Sequence, residues 1–281
     1  MTDPTERRRI EVDGHELRYL RAGESGSPVL LLHGGQIDAA HVIWGEAIEP
    51  LAERHRVFVP DLLGYGYSDA PDVPYTTERH VTMVEGFMDA VDLDRARVAG
   101  VSMGGGIGIG LALRSPDRVS RLATVASHGL GRDLPNGKLT YLISRQGATN
   151  RLSVALLARS RAVTRAGLAA LAADSASIDD ELVEQVQELA RLPNAGRGYR
   201  SWRRNEVGVR GFRTDYTDRL EGLEMPTLFV HGTEDEVFPA EWSERAARIA
   251  DGESLLLENC GHLVPRERPA AVNDRLLEFF A

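Results

Sequence analysis

The chain has one cysteine, Cys260, among 281 residues, so no disulfide can close within it. No set of Cys and His has the spacing of a zinc site, and neither G-x-G-x-x-G nor G-x-x-x-x-G-K-[ST] occurs. Thiol redox, structural metal and nucleotide-phosphate chemistry therefore have no residues to rest on, and no cofactor is expected. Basic charge is also short: 33 Lys and Arg stand against 42 Asp and Glu, a formal net charge of -9. With an isoelectric point near 5.4, nucleic acid is an unsuitable partner. No apolar run approaches the roughly 18 residues of a membrane span, and Met1-Thr-Asp-Pro-Thr-Glu-Arg-Arg-Arg lacks the apolar segment of a secretory signal. These absences lead to the expectation of a cytoplasmic protein, monomer or homodimer, that binds neither membrane nor nucleic acid.

What is present is a hydrophobic content of 42%, enough for a sizeable core. Short β-rich runs alternate with helical patterns, which points to an α/β fold with a mostly parallel sheet. Arg8 to Val12 and Glu16 to Arg21 flank Asp13-Gly14 and read as an antiparallel hairpin. Six further runs read as buried parallel strands: Val29 to Leu32, Val57 to Val59, Arg97 to Ala99, Leu122 to Val125, Thr227 to Val230 and Ser254 to Leu257. Helical spacing falls between them at Thr76 to Val91, Gly105 to Arg114, Trp242 to Ile249 and Ala270 to Phe280. The expected architecture is a doubly wound sheet of eight strands with helices on both faces. Between residues 131 and 207 strand signals stop and an Ala-, Leu- and Arg-rich helical insertion replaces them, leaving 1–130 and 208–281 as the core. Within the insertion Ser177 reads as an N-cap, followed by a stripe of Leu182, Val183, Val186 and Leu189.

The chemistry concentrates at Gly100-Val-Ser-Met-Gly104, which follows an apolar run and opens a glycine-rich helix. This is G-x-S-x-G in the strand-turn-helix setting that the motif requires. A sharp turn lifts the Ser102 hydroxyl above the sheet, and small neighbours let strand and helix close on each other. The helix N-terminus then offers the Met103 amide to a developing oxyanion. Leu32-His33-Gly34-Gly35-Gln36 is a second loop able to present an amide, with Gly35 the expected donor. His231-Gly-Thr-Glu-Asp235 delivers an acid at a strand end, Asp235 ahead of Glu234, and Asn259-Cys-Gly-His262 places a histidine after the last strand. The order Ser, Asp, His is the one this kind of site follows. His33, His231 and Asp61 read as structural braces, and Cys260 as a small buried apolar residue.

These motifs, together with Asp61-Leu-Leu-Gly-Tyr-Gly-Tyr-Ser68 in the form D-x-x-G-x-G-x-S, strongly resemble the α/β-hydrolase superfamily over nearly the whole chain. The resemblance implies that the 131–207 insertion is a helical cap. It also implies a serine hydrolase with Ser102 as nucleophile, His262 as base and Asp235 orienting the base. Parts of the sequence are similar to carbon-carbon hydrolases that act on meta-ring-fission products. The chain departs from them with Gly34-Gly35-Gln36 in place of G-x-G-P-G, Val101 where asparagine usually precedes the serine, and Leu263 where tryptophan usually follows the histidine. Read alone, the sequence favours esters or lactones of small to medium apolar substrates. Carbon-carbon cleavage of vinylogous diketo acids and a slow hydrolase-like receptor are the alternatives. Gln36, Trp44, Arg203, Arg204 and Leu263 are the candidate pocket residues, and Leu152, Val154, Leu156, Leu157, Leu168 and Leu171 the candidate apolar roof.

Overall fold

The computed structural model describes residues 5–134 and 137–281. The chain opens with β1 (Glu6–Val12), β2 (His15–Ala22) and β3 (Pro28–Leu32), followed by α1 (Ala40–Ile43), α2 (Gly45–Ala52) and β4 (Arg56–Pro60). Then come α3 (Thr77–Ala90), β5 (Ala96–Val101), α4 (Met103–Arg114) and β6 (Val119–Val125). Between β6 and the next sheet strand lie α5 (Lys138–Arg145), α6 (Gly147–Arg159), α7 (Arg161–Ala169), α8 (Asp180–Ala190) and α9 (Arg197–Glu206), and a two-residue hairpin of β7 (Val207–Gly208) and β8 (Gly211–Phe212). The chain ends with β9 (Thr227–Gly232), α10 (Ala240–Ile249), β10 (Glu253–Leu257), α11 (Val264–Glu267) and α12 (Pro269–Phe279).

Eight strands form one sheet in the order β1-β2-β4-β3-β5-β6-β9-β10, antiparallel at the β1-β2 and β2-β4 pairs and parallel elsewhere. The Asp13-Gly14 turn holds φ 51° and 74°, the left-handed pair that a two-residue hairpin needs. Side chains alternate across the sheet. Leu30, Leu32 and Val98 enter one core with α3, α4 and α10, while Val29, Leu31 and Val101 enter another with α2 and α12. Burial on both faces explains why these strands read as uninterrupted apolar runs.

The sequence reading misses α1, α2 and the β7-β8 hairpin, and it misplaces one cap. Asp179, whose carboxylate accepts the Leu182 amide at 2.7 Å, caps α8. Ser177 sits in a preceding turn, where its hydroxyl donates to the Asp174 carbonyl.

Asp61, at the end of β4, is fully buried. Its carboxylate accepts the Ala40 amide at 2.8 Å and the Tyr67 amide at 3.0 Å, and pairs with Arg18 at 3.2 Å. Removing the charge leaves Arg18 buried without compensation, a loss of about 3 kcal/mol. Asp61→Asn is therefore expected to lower the melting temperature while Ser102 still reacts with a fluorophosphonate. Unchanged melting with loss of labelling would contradict a structural role.

Candidate active site

At the β5-α4 junction the backbone of Ser102 adopts φ 53° and ψ -117°. An L-residue is strained there, and its neighbours must be small enough to hold the turn. A Cβ on Gly104 would stand 2.3 Å from the Leu32 carbonyl oxygen, and one on Gly100 would stand 2.2 Å from the Gly104 carbonyl oxygen. Glycine at both positions is thus a steric requirement of the turn. The serine hydroxyl faces His262, with Oγ 3.0 Å from Nε2. The other ring nitrogen, Nδ1, lies 2.8 Å from Oδ2 of Asp235.

The Asp235 carboxylate is saturated with donors. Oδ2 also lies 2.9 Å from Nε2 of His231, and Oδ1 accepts the amides of Val237 at 2.7 Å and Phe238 at 3.2 Å. Burial alone would raise its pKa, but the hydrogen bonds and charges of His231 and His262 outweigh burial and hold it well below the ordinary carboxylate range. It therefore stays ionised and can orient the imidazole throughout the working pH range. Glu234, the alternative acid, is exposed. His231 does more than brace a loop: Nδ1 meets the Ser243 hydroxyl at 2.7 Å, which leaves Nε2-H to face Asp235. The signal for this role is the spacing of four between His231 and Asp235, which is easy to overlook outside a helix.

Two amides near Ser102 have no hydrogen-bond acceptor among the described residues. Met103 begins α4, and neither its N-H nor that of Gly35 has an acceptor among the described residues. Gly34 is held at both its carbonyl and its amide. His33 Nδ1 lies 2.7 Å from the Gly34 carbonyl, its Nε2 accepts the Leu62 amide at 2.9 Å, and the Gly34 amide donates to Asp38 at 2.9 Å. With the Gly34 carbonyl held by His33, the Gly35 N-H of the same peptide plane points the opposite way. Asp38 lines the site, and burial pushes its carboxyl group up from the ordinary value.

A cavity of about 310 Å³ lies over Ser102 and His262. Its walls come from two clusters: Met103, Trp202, Val207, Phe212 and Phe238 on one side, and Val42, Leu182 and Val186 with Ile37, Leu168 and Leu263 on the other. Of the expected pocket residues, Gln36, Arg203 and Leu263 line it. Trp44 does not: it is fully buried in the core on the far face of the sheet, where its indole N-H donates to the Leu32 carbonyl at 3.0 Å. Arg204 is exposed and turns toward Gly147, because adjacent residues on α9 point about 100° apart. Leu157, Leu168 and Leu171 roof the cavity as expected, whereas Leu152 and Leu156 face solvent and Val154 packs toward Gly196. Arg266, unnoticed in the sequence, also lines the site. Cys260 is fully buried, and burial pushes its thiol up to about 12. Among the described residues no His, Cys, Asp and Glu cluster suits a metal ion, and no helix is long and apolar enough to cross a membrane.

Sheet order, strained serine turn and the histidine and carboxylate behind it define a hydrolase of the α/β class. The chain belongs to the α/β-hydrolase fold family, whose model matches residues 27–269. It is 28% identical to a 2-hydroxy-6-oxo-6-(2'-aminophenyl)hexa-2,4-dienoic acid hydrolase of Metapseudomonas resinovorans, over 97% of this chain and 90% of that one. A 2-hydroxymuconate semialdehyde hydrolase of Pseudomonas putida is 30% identical, over 91% and 87% of the two chains. Among solved structures, a meta-cleavage product hydrolase from Pseudomonas fluorescens superposes with a TM-score of 0.82 at 27% identity, covering 97% of each chain.

Asp235→Asn should drop hydrolysis by about 10⁴-fold, since an amide cannot hold His262 in the required tautomer. Glu234→Gln should leave it unaltered. Steady-state rates on one ester and one diketo acid test the pair, and equal losses in both variants would mean that the acid is wrongly assigned.

Proposed function

We propose that the chain is a serine hydrolase that works through an acyl-enzyme, and that it cleaves a carbon-carbon bond in a keto acid with an apolar body. The observation that carries the serine chemistry is the continuous line from Ser102 Oγ through His262 to Asp235, at 3.0 Å and 2.8 Å. In the first half-reaction His262 takes the Ser102 proton as Oγ bonds to the carbonyl carbon. The oxyanion is held by the Met103 and Gly35 amides, each worth about 2.7–4 kcal/mol. The tetrahedral intermediate collapses by breaking the bond to the leaving carbon, which receives the proton from His262. Water then attacks the acyl carbon, passes a proton through His262 to Ser102, and the acyl half departs as a carboxylic acid that ionises.

The names of the relatives weigh for carbon-carbon cleavage over the ester or lactone cleavage that the sequence alone favours. Arg203 supports the same reading. It lines the cavity, lies 5.6 Å from the ring centre of Tyr199, and has no carboxylate partner among the described residues. Its guanidinium is thus free to take a substrate carboxylate. Ester or lactone cleavage remains the second reading on a specific observation: Val101 and Leu263, beside Ser102 and His262, are both apolar. Neither gives a hydrogen bond to an enol that must ketonise before its carbon can leave.

The test is kcat/KM for a vinylogous 1,5-diketo acid and for p-nitrophenyl butyrate. The wild type should prefer the diketo acid, and Arg203→Ala should lose that preference by about 10- to 100-fold, the worth of a charged hydrogen bond. Arg204→Ala should retain it. Preference for the ester, unmoved by Arg203→Ala, would establish the second reading.

A further inference from the structure

A second cation borders the site, and its surroundings differ from those of Arg203. The Arg266 side chain is only 6% exposed, yet its nearest carboxylates are Glu46 at 3.6 Å and Asp179 at 3.9 Å, both beyond hydrogen-bond distance. Those two are more than half exposed, so water competes for them. Among the described residues no acceptor hydrogen-bonds the guanidinium. Glu267, its chain neighbour, is committed to the Ala173, Gly261 and Leu263 amides. A mostly buried side chain whose guanidinium is only loosely ion-paired keeps donors available for a further anion.

Arg266 also stands between two cavities. One side lines the apolar half of the catalytic cavity, next to Leu263 and Val42. The other lines a polar cleft of about 1170 Å³ whose lining includes Arg7, Arg18, Glu181 and Glu188. Arg266 is thus the one described residue that lines both the catalytic cavity and the cleft.

We infer that Arg266 is a carboxylate-binding residue at the border of the two cavities, and that it holds the acid released from Ser102 as that acid leaves. The inference rests on the acyl-enzyme reading, since hydrolysis at Ser102 is what generates a carboxylate in the cavity, but it holds for either bond type. Arg266 touches product rather than the reacting atoms. Arg203 lies in the other, aromatic half of the cavity and takes no part in this step.

Butyrate is the probe, and its binding to Ser102→Ala, followed by calorimetry, requires no turnover. Ser102→Ala should bind butyrate, Ser102→Ala with Arg266→Leu should bind it at least 10-fold more weakly, and Arg266→Lys should recover part of the loss. In the otherwise wild-type enzyme Arg266→Leu should raise the inhibition constant of butyrate by a similar factor. If Arg266→Leu fails to fold, Glu46→Gln combined with Asp179→Asn removes the competing carboxylates and should tighten butyrate binding. Equal butyrate affinity with leucine at 266, a loss seen in Arg203→Ala instead, or no tightening in the double variant would overturn the inference. Absence of butyrate binding alongside normal turnover would overturn it and leave the acyl-enzyme reading standing. Arg266-dependent binding in a chain that hydrolyses neither substrate would do the reverse.

Discussion

The site depends on the backbone of Ser102 being held at φ 53°, a conformation that costs an L-residue about 1–3 kcal/mol and persists only where the surroundings enforce it. The enforcement comes from the sheet. Strand β5, which ends in the serine turn, is paired to β3 with Leu32 opposite Gly100. Strand β3 continues into His33-Gly34-Gly35, and Gly104 sits against the Leu32 and His33 carbonyls. Ser102 and the Gly34-Gly35 loop are thus carried by neighbouring hydrogen-bonded strands, and a slip in one would part them. Binding energy can then be directed at the transition state without being used to assemble the donors.

The acid and base follow the same logic on the next strands. Asp235 follows β9 and His262 follows β10, and those strands are paired with His231 opposite Leu256. Burial would neutralise Asp235 if it stood alone, but four donors converge on it and keep it charged. Asp61 shows the contrast. It is equally buried and also well bonded, but its partners are Arg18, the first amide of α1 and the Tyr67 amide, and among the described residues no imidazole hydrogen-bonds it. The same side chain therefore ties segments together in one place and meets two imidazoles in another.

The eight strands are legible in the sequence because each central strand is buried on both faces, and the serine turn is legible because its glycines answer a steric demand. Other features depend on which way a side chain turns, and spacing does not reveal that. Trp44 follows the Gly34-Gly35 loop in sequence, yet α1 carries it through to the opposite core. Arg203 and Arg204 differ only by one position on α9, and one lines the cavity while the other faces solvent. On α6, Leu157 points inward and Leu152 and Leu156 point outward, because its apolar residues are spread around the helix rather than gathered in one stripe. Arg266 lies on a four-residue helix, too short for any periodic pattern to mark its inner face.

The geometry around Ser102 is indifferent to the bond that breaks, because attack, oxyanion support and proton return are the same for an alkoxide and for a stabilised carbanion. Discrimination falls to the groups that receive the leaving fragment. Here the cavity is walled by Trp202, Phe212 and Phe238 from one cluster and by Val42, Leu182 and Val186 from another. Ring faces favour a flat, conjugated group, and aliphatic side chains accommodate a flexible one. A substrate with one planar and one flexible arm on either side of its carbonyl would match both kinds of wall. The planar arm then lies on the side that also holds Arg203, where a conjugated keto acid would bring its carboxylate to the cation while the reacting carbonyl stays at the oxyanion amides. An ester with two aliphatic arms would fill the second half well and leave the aromatic walls and Arg203 without complementary groups.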